Sequence, residues 1–142
     1  MKLTLFTDYA FRLLIQVAAA DPELVTISKT AESYGISRNH LTKIANDLVR
    51  GGYLAAVRGR SGGLRLAKPA KSINVGDVVR FCESSTPLVE CFDRINNKCV
   101  ITPSCALKSI LHAADSAFYA VLSSHNLADL IAHRGELRKF LG

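Results

Sequence analysis

The sequence predicts a mainly α protein with a small β wing: a winged helix-turn-helix domain followed by a long dimerisation helix. Three observations predict it. Two short helical patterns are joined by a tight turn at Gly35. A hairpin with arginines and glycines at its tip, Arg58-Gly59-Arg60-Ser61-Gly62-Gly63, follows directly. Late in the chain an apolar stripe keeps an i, i+3, i+4, i+7 rhythm for about four turns.

The elements follow in order. The first helix is expected over 8–20, with Thr7 as N-cap, Asp8 in the first turn and an apolar stripe through Tyr9, Leu13, Val17 and Ala20, flanked by Ala10 and Leu14. Asp21-Pro22 ends it. A short helix over 27–34, capped by Thr26 and closed by Gly35, leads through Ser37 into a third helix over 38–49. That helix buries Leu41, Ile44, Ala45 and Leu48 and leaves Arg38, Asn39, Thr42 and Lys43 outward. Gly51-Gly52 stops it, and strands over 53–57 and 64–67 form the wing. Asn74 caps a helix over 75–81 whose apolar face is Val75, Val78, Val79 and Phe81, with Cys82 at its end. Residues 83–102 read as irregular, with a turn at Asn96-Asn97. Thr102 and Pro103 are expected to open the long helix, which runs to Ser123 with Leu107, Ile110, Leu111, Ala114, Ala117, Phe118, Val121 and Leu122 along its stripe. Asn126 caps a last amphipathic helix through Leu127, Leu130 and Ile131; Arg134 to Gly142 carry no readable signal. The expected division is 1–82 for the winged helix-turn-helix domain, 83–102 for the cysteine-containing loop and 103–142 for the dimerisation and C-terminal helices.

Charge points to a polyanion. The chain carries a net +6, and residues 37 to 68 hold all of it: Arg38, Lys43, Arg50, Arg58, Arg60, Arg65 and Lys68 against the single acid Asp47. Such concentration suits nucleic acid. Arginines at a glycine-rich hairpin tip suit phosphate or a narrow minor groove. No run of about 18 apolar residues argues for a membrane span, and the N-terminus makes a poor signal peptide, so a cytoplasmic location is expected.

Three of the four cysteines lie in the stretch CFDRINNKCVITPSC, at spacing Cys91-x7-Cys99-x5-Cys105. In a reducing compartment such a cluster suggests metal. Structural zinc usually takes four ligands in closer pairs. Iron–sulfur clusters are also held by thiolates, and one weaker ligand would leave a reactive iron suited to a sensor. Cys82 reads as a small buried hydrophobe. Three unliganded thiols remain the plain alternative, as does a zinc-stabilised protein-interaction module with the long helix as docking surface. A thiol redox enzyme is disfavoured: there is no CxxC and no histidine close to the loop in sequence. The chain is expected not to be an enzyme.

Nearly the whole chain resembles the winged-helix iron–sulfur transcriptional repressor family. The resemblance is carried by LTLFTDYAFRLL, YGISRNHLTKI, VRGRSGGLRLAKP and LVECFDRINNKCVITPSCALK; FTDYA and SRNHLTKI are most similar to its nitric-oxide-sensing repressors. It implies a homodimer on double-stranded DNA with a palindromic operator, nitric oxide as signal, and an iron–sulfur cluster (4Fe–4S or 2Fe–2S) on Cys91, Cys99 and Cys105. Asp8, supplied by the other subunit, matches the position of the fourth ligand in such repressors. Cluster-assembly regulators of the family instead use a histidine one turn after the third cysteine, where this sequence has Lys108; His112 is out of that pattern. The spacing is shared with iron-responsive members, so an iron- or redox-responsive regulator is the alternative. By the same resemblance Ser37, Arg38, Asn39, His40 and Lys43 would face the major groove, Thr26 and Ser28 would add contacts, and Arg58, Arg60 and Arg65 would anchor the wing.

Overall fold

A computed structural model describes residues 2–142. Seven helices and one hairpin follow in the order α1 (Leu5–Ala20), α2 (Ile27–Tyr34), α3 (Arg38–Arg50), β1 (Leu54–Val57), β2 (Gly63–Leu66), α4 (Val75–Cys82), α5 (Ala106–Ser123), α6 (Leu127–Leu130) and α7 (Arg134–Leu141). Among the described residues no helix is long and apolar enough to cross a membrane.

The core forms where the sequence periods point. Ala10, Leu13, Leu14 and Val17 of α1 meet Ile44, Ala45 and Leu48 of α3 under Tyr53, Leu54 and Leu64 of the wing and Val78 of α4. Each fully buried leucine or valine contributes roughly 1.5–3 kcal/mol by leaving water. α2 and α3 turn at Gly35, whose φ of +63° suits a residue without Cβ.

The strands pair antiparallel with Leu54 opposite Leu66 and Val57 opposite Gly63. Val25 N–H donates to Leu64 O at 3.0 Å and Leu64 N–H to Val25 O at 2.8 Å, so the segment before α2 adds a third rung that ties wing to helices. At the tip, a Cβ on Gly62 would sit 2.2 Å from Val57 O, so the turn closes only around glycine.

Three expectations are corrected. α1 begins at Leu5, capped by Thr4 rather than Thr7. Thr7 is fully buried, and its hydroxyl donates to the Glu83 carboxylate. The long helix starts at Ala106 with Cys105 in the N-cap position, while Thr102–Ser104 forms a separate 3-10 turn. Residues Arg134–Leu141 form a helix that returns to the end of α1. There Arg134 Nε and Arg138 Nε both donate to Ala19 O at 2.7 Å, and Arg138 Nη2 donates to Ala20 O at 3.1 Å. Two guanidinium groups thus converge on the Ala19 carbonyl, and one also reaches Ala20 O, which already accepts from Glu23 N–H, at the negative end of the α1 dipole.

α5 is attached to this body at its C-terminal end. Asn74 Nδ2 donates to Ser123 O at 2.7 Å, and Gly76 of α4 lies against Ser123 with no room for a side chain. The Asn126 capping box with Asp129 then starts α6, which buries Leu127.

Candidate nucleic-acid interface and metal centre

On one side of the body α3 exposes Arg38, Asn39, Thr42, Lys43 and Asn46, because its opposite face is spent on the core. Ser37 holds the N-cap position, but its hydroxyl makes no capping bond and stays available to a ligand. Thr26 spends its oxygen capping α2, accepting from Lys29 N–H at 3.1 Å; Ser28 beside it is exposed. Thr42 donates to Arg38 O. His40 is exposed on the edge nearest α1, its ring 6.3 Å from that of Tyr9, so it stands on the flank of the α3 face.

The wing presents Arg58 and Arg60 at its tip and Arg65 on β2, all exposed. Two of the seven bases counted in this region are engaged within the chain: Arg50 with Asp47, and Lys68 over the Tyr53 ring at 5.0 Å. Among the described residues Arg38, Lys43, Arg58, Arg60 and Arg65 pair with no acid. Five unpaired cations flank a row of short polar side chains, the composition that phosphates and base edges ask for.

The cysteine loop is built by different means. No residue between Val79 and Leu127 is buried. The loop is held by polar side chains bonded to backbone. Lys98 N–H donates to Glu90 Oε1 at 2.6 Å, clasping the residues that precede Cys91 and Cys99. Cys99 N–H donates to Asn97 Oδ1 at 3.0 Å, and Thr102 Oγ1 donates to Cys99 O at 2.7 Å. Asp93 folds the intervening turn by accepting from Ile95 and Asn96, and those bonds, Asn96's side chain first, hold its carboxyl below the usual range. Cys91 sits in the Glu90–Phe92 3-10 turn. Cys105 stands at the N-cap of α5, where the helix end favours negative charge. Phe92 stacks on His112 of α5 with centroids 4.3 Å apart, so the fold brings a histidine to the loop that sequence distance hid.

Cys91, Cys99 and Cys105 are free thiols, Cys99 exposed and the others half-buried. Among the described residues no three Cys, His, Asp or Glu groups form a site for a single metal ion. Three free thiols on one loop are donors of the kind that would hold an iron–sulfur cluster. Cys82 is apart from them, packed on the core edge, and burial pushes its thiol up to about 11. Asp8 is not brought to the loop within this chain. It lies half-exposed on α1, gripped by Arg12 through Nε at 3.2 Å and Nη2 at 2.8 Å.

Glu83 had no signal in the sequence, yet it joins α1 to the start of the loop. Its Oε1 accepts from Thr4 N–H at 2.9 Å, Thr4 Oγ1 at 2.8 Å and Thr7 Oγ1. Burial pushes its carboxyl up, but the bonds from Thr7 and Thr4 outweigh burial and hold it below the usual range. Glu90 was equally silent; Asn97 was marked only as part of the Asn96-Asn97 turn, and Thr102 only as the expected start of the long helix, not as a partner of Cys99 O.

Residues 3–133 match the model of the family Rrf2, described as an iron-dependent transcriptional regulator. The chain belongs to the Rrf2 family. Proteins named HTH-type transcriptional regulator NsrR are similar over nearly the full length: 45% identity in Bacillus licheniformis, covering 99% of both chains, and 46% in Bacillus subtilis and in Geobacillus kaustophilus, each covering 99% of this chain and 97% of theirs. This chain is an NsrR-like transcriptional repressor of the Rrf2 family. Solved structures share the fold. The oxidised form of Staphylococcus aureus CymR superposes with a TM-score of 0.76 at 24% identity, over 93% of this chain and 97% of that one. T. potens IscR gives 0.74 at 25% identity, over 92% and 86%. The winged helix expected from the α3 stripe and the arginine wing is therefore present.

Proposed function

We propose that this Rrf2 protein is a cytoplasmic homodimer that binds a palindromic operator and releases it when nitric oxide reaches an iron–sulfur cluster held by Cys91, Cys99 and Cys105. One observation carries the reading: three free thiols lie at the root of a helix that leaves one apolar seam of its stripe exposed. Leu107, Ile110 and Val121 are 59%, 64% and 63% exposed, and Ala114 and Ala117 between them are exposed too. The spacing i, i+3, i+7, i+10, i+14 is one seam of a helix pair. A two-fold axis across it would present two α3 faces and two wings to paired half-sites.

Asp8 of the second copy is the fourth donor in this reading. Its exposure lets a neighbour approach, and ligation would compete with Arg12. Arg12 in turn stacks over the Tyr34 ring at 5.6 Å and accepts the Tyr34 hydroxyl on its carbonyl at 3.2 Å, so Asp8 is one residue removed from the helix-turn-helix. Bound there, the cluster would supply iron that nitric oxide attacks. The chain's own response is the return of Asp8 to Arg12, which shifts α1 against α2 and with it α3.

The test compares wild type with Asp8→Ala, purified without oxygen. The variant should keep most of the visible absorption yet change the nitric oxide concentration that releases DNA; an unchanged response rules the Asp8 link out. The family's description as iron-dependent favours iron supply as the second reading. Release on iron depletion but not on nitric oxide would select it.

A further inference from the structure

We infer that Asn39 and Asn46 of α3 are the base-reading pair of this protein, and that each half-site of its operator carries an A·T pair opposite each of them. The inference rests on the chain being a DNA-binding repressor and on nothing about the cysteine loop. α3 turns Leu41, Ile44, Ala45 and Leu48 into the core. At about 3.6 residues per turn, the stripe on the far side runs through Asn39, Lys43, Asn46 and Arg50, at i, i+4, i+7 and i+11. All four are exposed. Arg50, the last of them, is held by Asp47. The stripe therefore offers a ligand an amide, an ammonium and a second amide in line.

The two amides stand apart from the chain's other asparagines. Asn74 donates to Ser123 O and caps α4, Asn96 donates to Asp93, Asn97 bonds Thr102 and Cys99 N–H, and Asn126 caps α6. Among the described residues only Asn39 and Asn46 bond to no protein group, and both lie on the outermost line of α3. Their neighbours discriminate less. The Lys43 ammonium only donates, and so accepts any phosphate or base oxygen as partner. The hydroxyl hydrogen of Thr42 goes to Arg38 O at 2.8 Å, which leaves that side chain an acceptor alone. An asparagine amide holds a donor and an acceptor side by side. That fork fits adenine, which shows an N6 donor and an N7 acceptor in the major groove; guanine shows two acceptors there and leaves the amide oxygen unmet. Seven residues span about 10 Å of helix. A recognition helix lying along the groove thus sets its two amides about three base-pair steps apart, at about 3.4 Å per step.

The test is selection from a randomised duplex DNA library by the anaerobically purified full-length protein, followed by affinity measurements on the selected duplex. Wild type should enrich an inverted repeat with A·T pairs at two positions about three steps apart in each half. Replacing either pair by G·C should weaken wild type roughly fivefold or more. Asn46→Ala should lose the preference at one of these positions and keep the other, its A·T to G·C difference there shrinking below about twofold; Asn39→Ala should do the reverse. Both side chains are exposed, so both variants should fold as wild type does. A motif that Asn46→Ala leaves unchanged, or a uniform weakening on every sequence as a phosphate contact would give, overturns the assignment of Asn46, and the same results with Asn39→Ala overturn that of Asn39. A wild-type motif without the two A·T pairs overturns the pairing itself. Enrichment of no sequence at all by wild type overturns the inference together with the DNA-binding reading beneath it.

Discussion

The winged-helix body and the segment from Glu83 to Ser123 are stabilised by different physics. In the body, α1, α3 and the hairpin bury one another's apolar faces, and Leu13, Leu14, Leu41 and Leu48 are fully excluded from water. The loop and α5 hold no fully buried residue, although α5 is an 18-residue helix rich in apolar side chains. The first region is completed by its own chain. The second has its frame of Glu90, Asn97 and Thr102 bonds and its apolar seam ready, and in the proposed function it would be completed from outside, the thiols by a cluster and the seam by a second copy. A sensor gains from that division, since what is completed from outside can be undone without unfolding the DNA-binding part.

The largest effect that tests this contrast is in the core. Leu48→Ala should cost about 2–5 kcal/mol of unfolding free energy, measured by urea denaturation, whereas Cys91→Ser in metal-free protein should stay within about 0.5 kcal/mol. Comparable losses would mean that the loop is part of the core after all. Next, Ile110→Glu sets two like charges against each other across the proposed seam, at a cost of several kcal/mol to association. Sedimentation should show monomer with unchanged helix content; a dimer as tight as wild type removes α5 from the interface. Smaller again, Glu90→Ala removes one hydrogen bond worth about 0.5–1.5 kcal/mol. Cluster loss to a chelator should quicken several-fold, and Glu90→Gln, which keeps an acceptor for Lys98 N–H, should restore the wild-type rate.

The smallest effect is a pH dependence. The folded-state carboxyl of Glu83 lies below its ordinary value, so its bonds to Thr4 and Thr7 stabilise fully above the unfolded value of about 4.3. That contribution is lost as pH falls through the folded value. The melting temperatures of wild type and Glu83→Gln should differ at neutral pH and converge on acidification; a gap that persists in acid would show that Glu83 acts by packing.

Which parts could be read in advance follows from the same contrast. Periodicity reports burial, so Leu41, Ile44, Ala45 and Leu48 announced the inner face of α3, and the arginine-glycine tip announced the wing. Caps that bond locally were legible as well, such as Thr26, Asn74 and Asn126. Thr7 misled because a threonine before a helical stripe resembles a cap, while its actual partner, Glu83, is 76 residues away. α7 was invisible because Arg134 and Arg138 act on carbonyls over 100 residues distant. At the candidate centre the clustering of the three cysteines was plain. The Glu90 clasp and the Phe92–His112 stack were not, since side chain–backbone bonds and single ring contacts leave no period.

In the proposed function the state of the cysteine loop decides whether the body holds DNA. The most direct test of this is the operator affinity of anaerobically purified wild-type protein, measured before and after nitric oxide is added and set beside its iron and acid-labile sulfide content. Coloured protein with iron and sulfide, tight binding, and a loss of affinity of at least about tenfold on nitric oxide are the expected results. Each tenfold corresponds to about 1.4 kcal/mol of coupling. Zinc without sulfide, or an affinity that nitric oxide leaves unchanged, would contradict it.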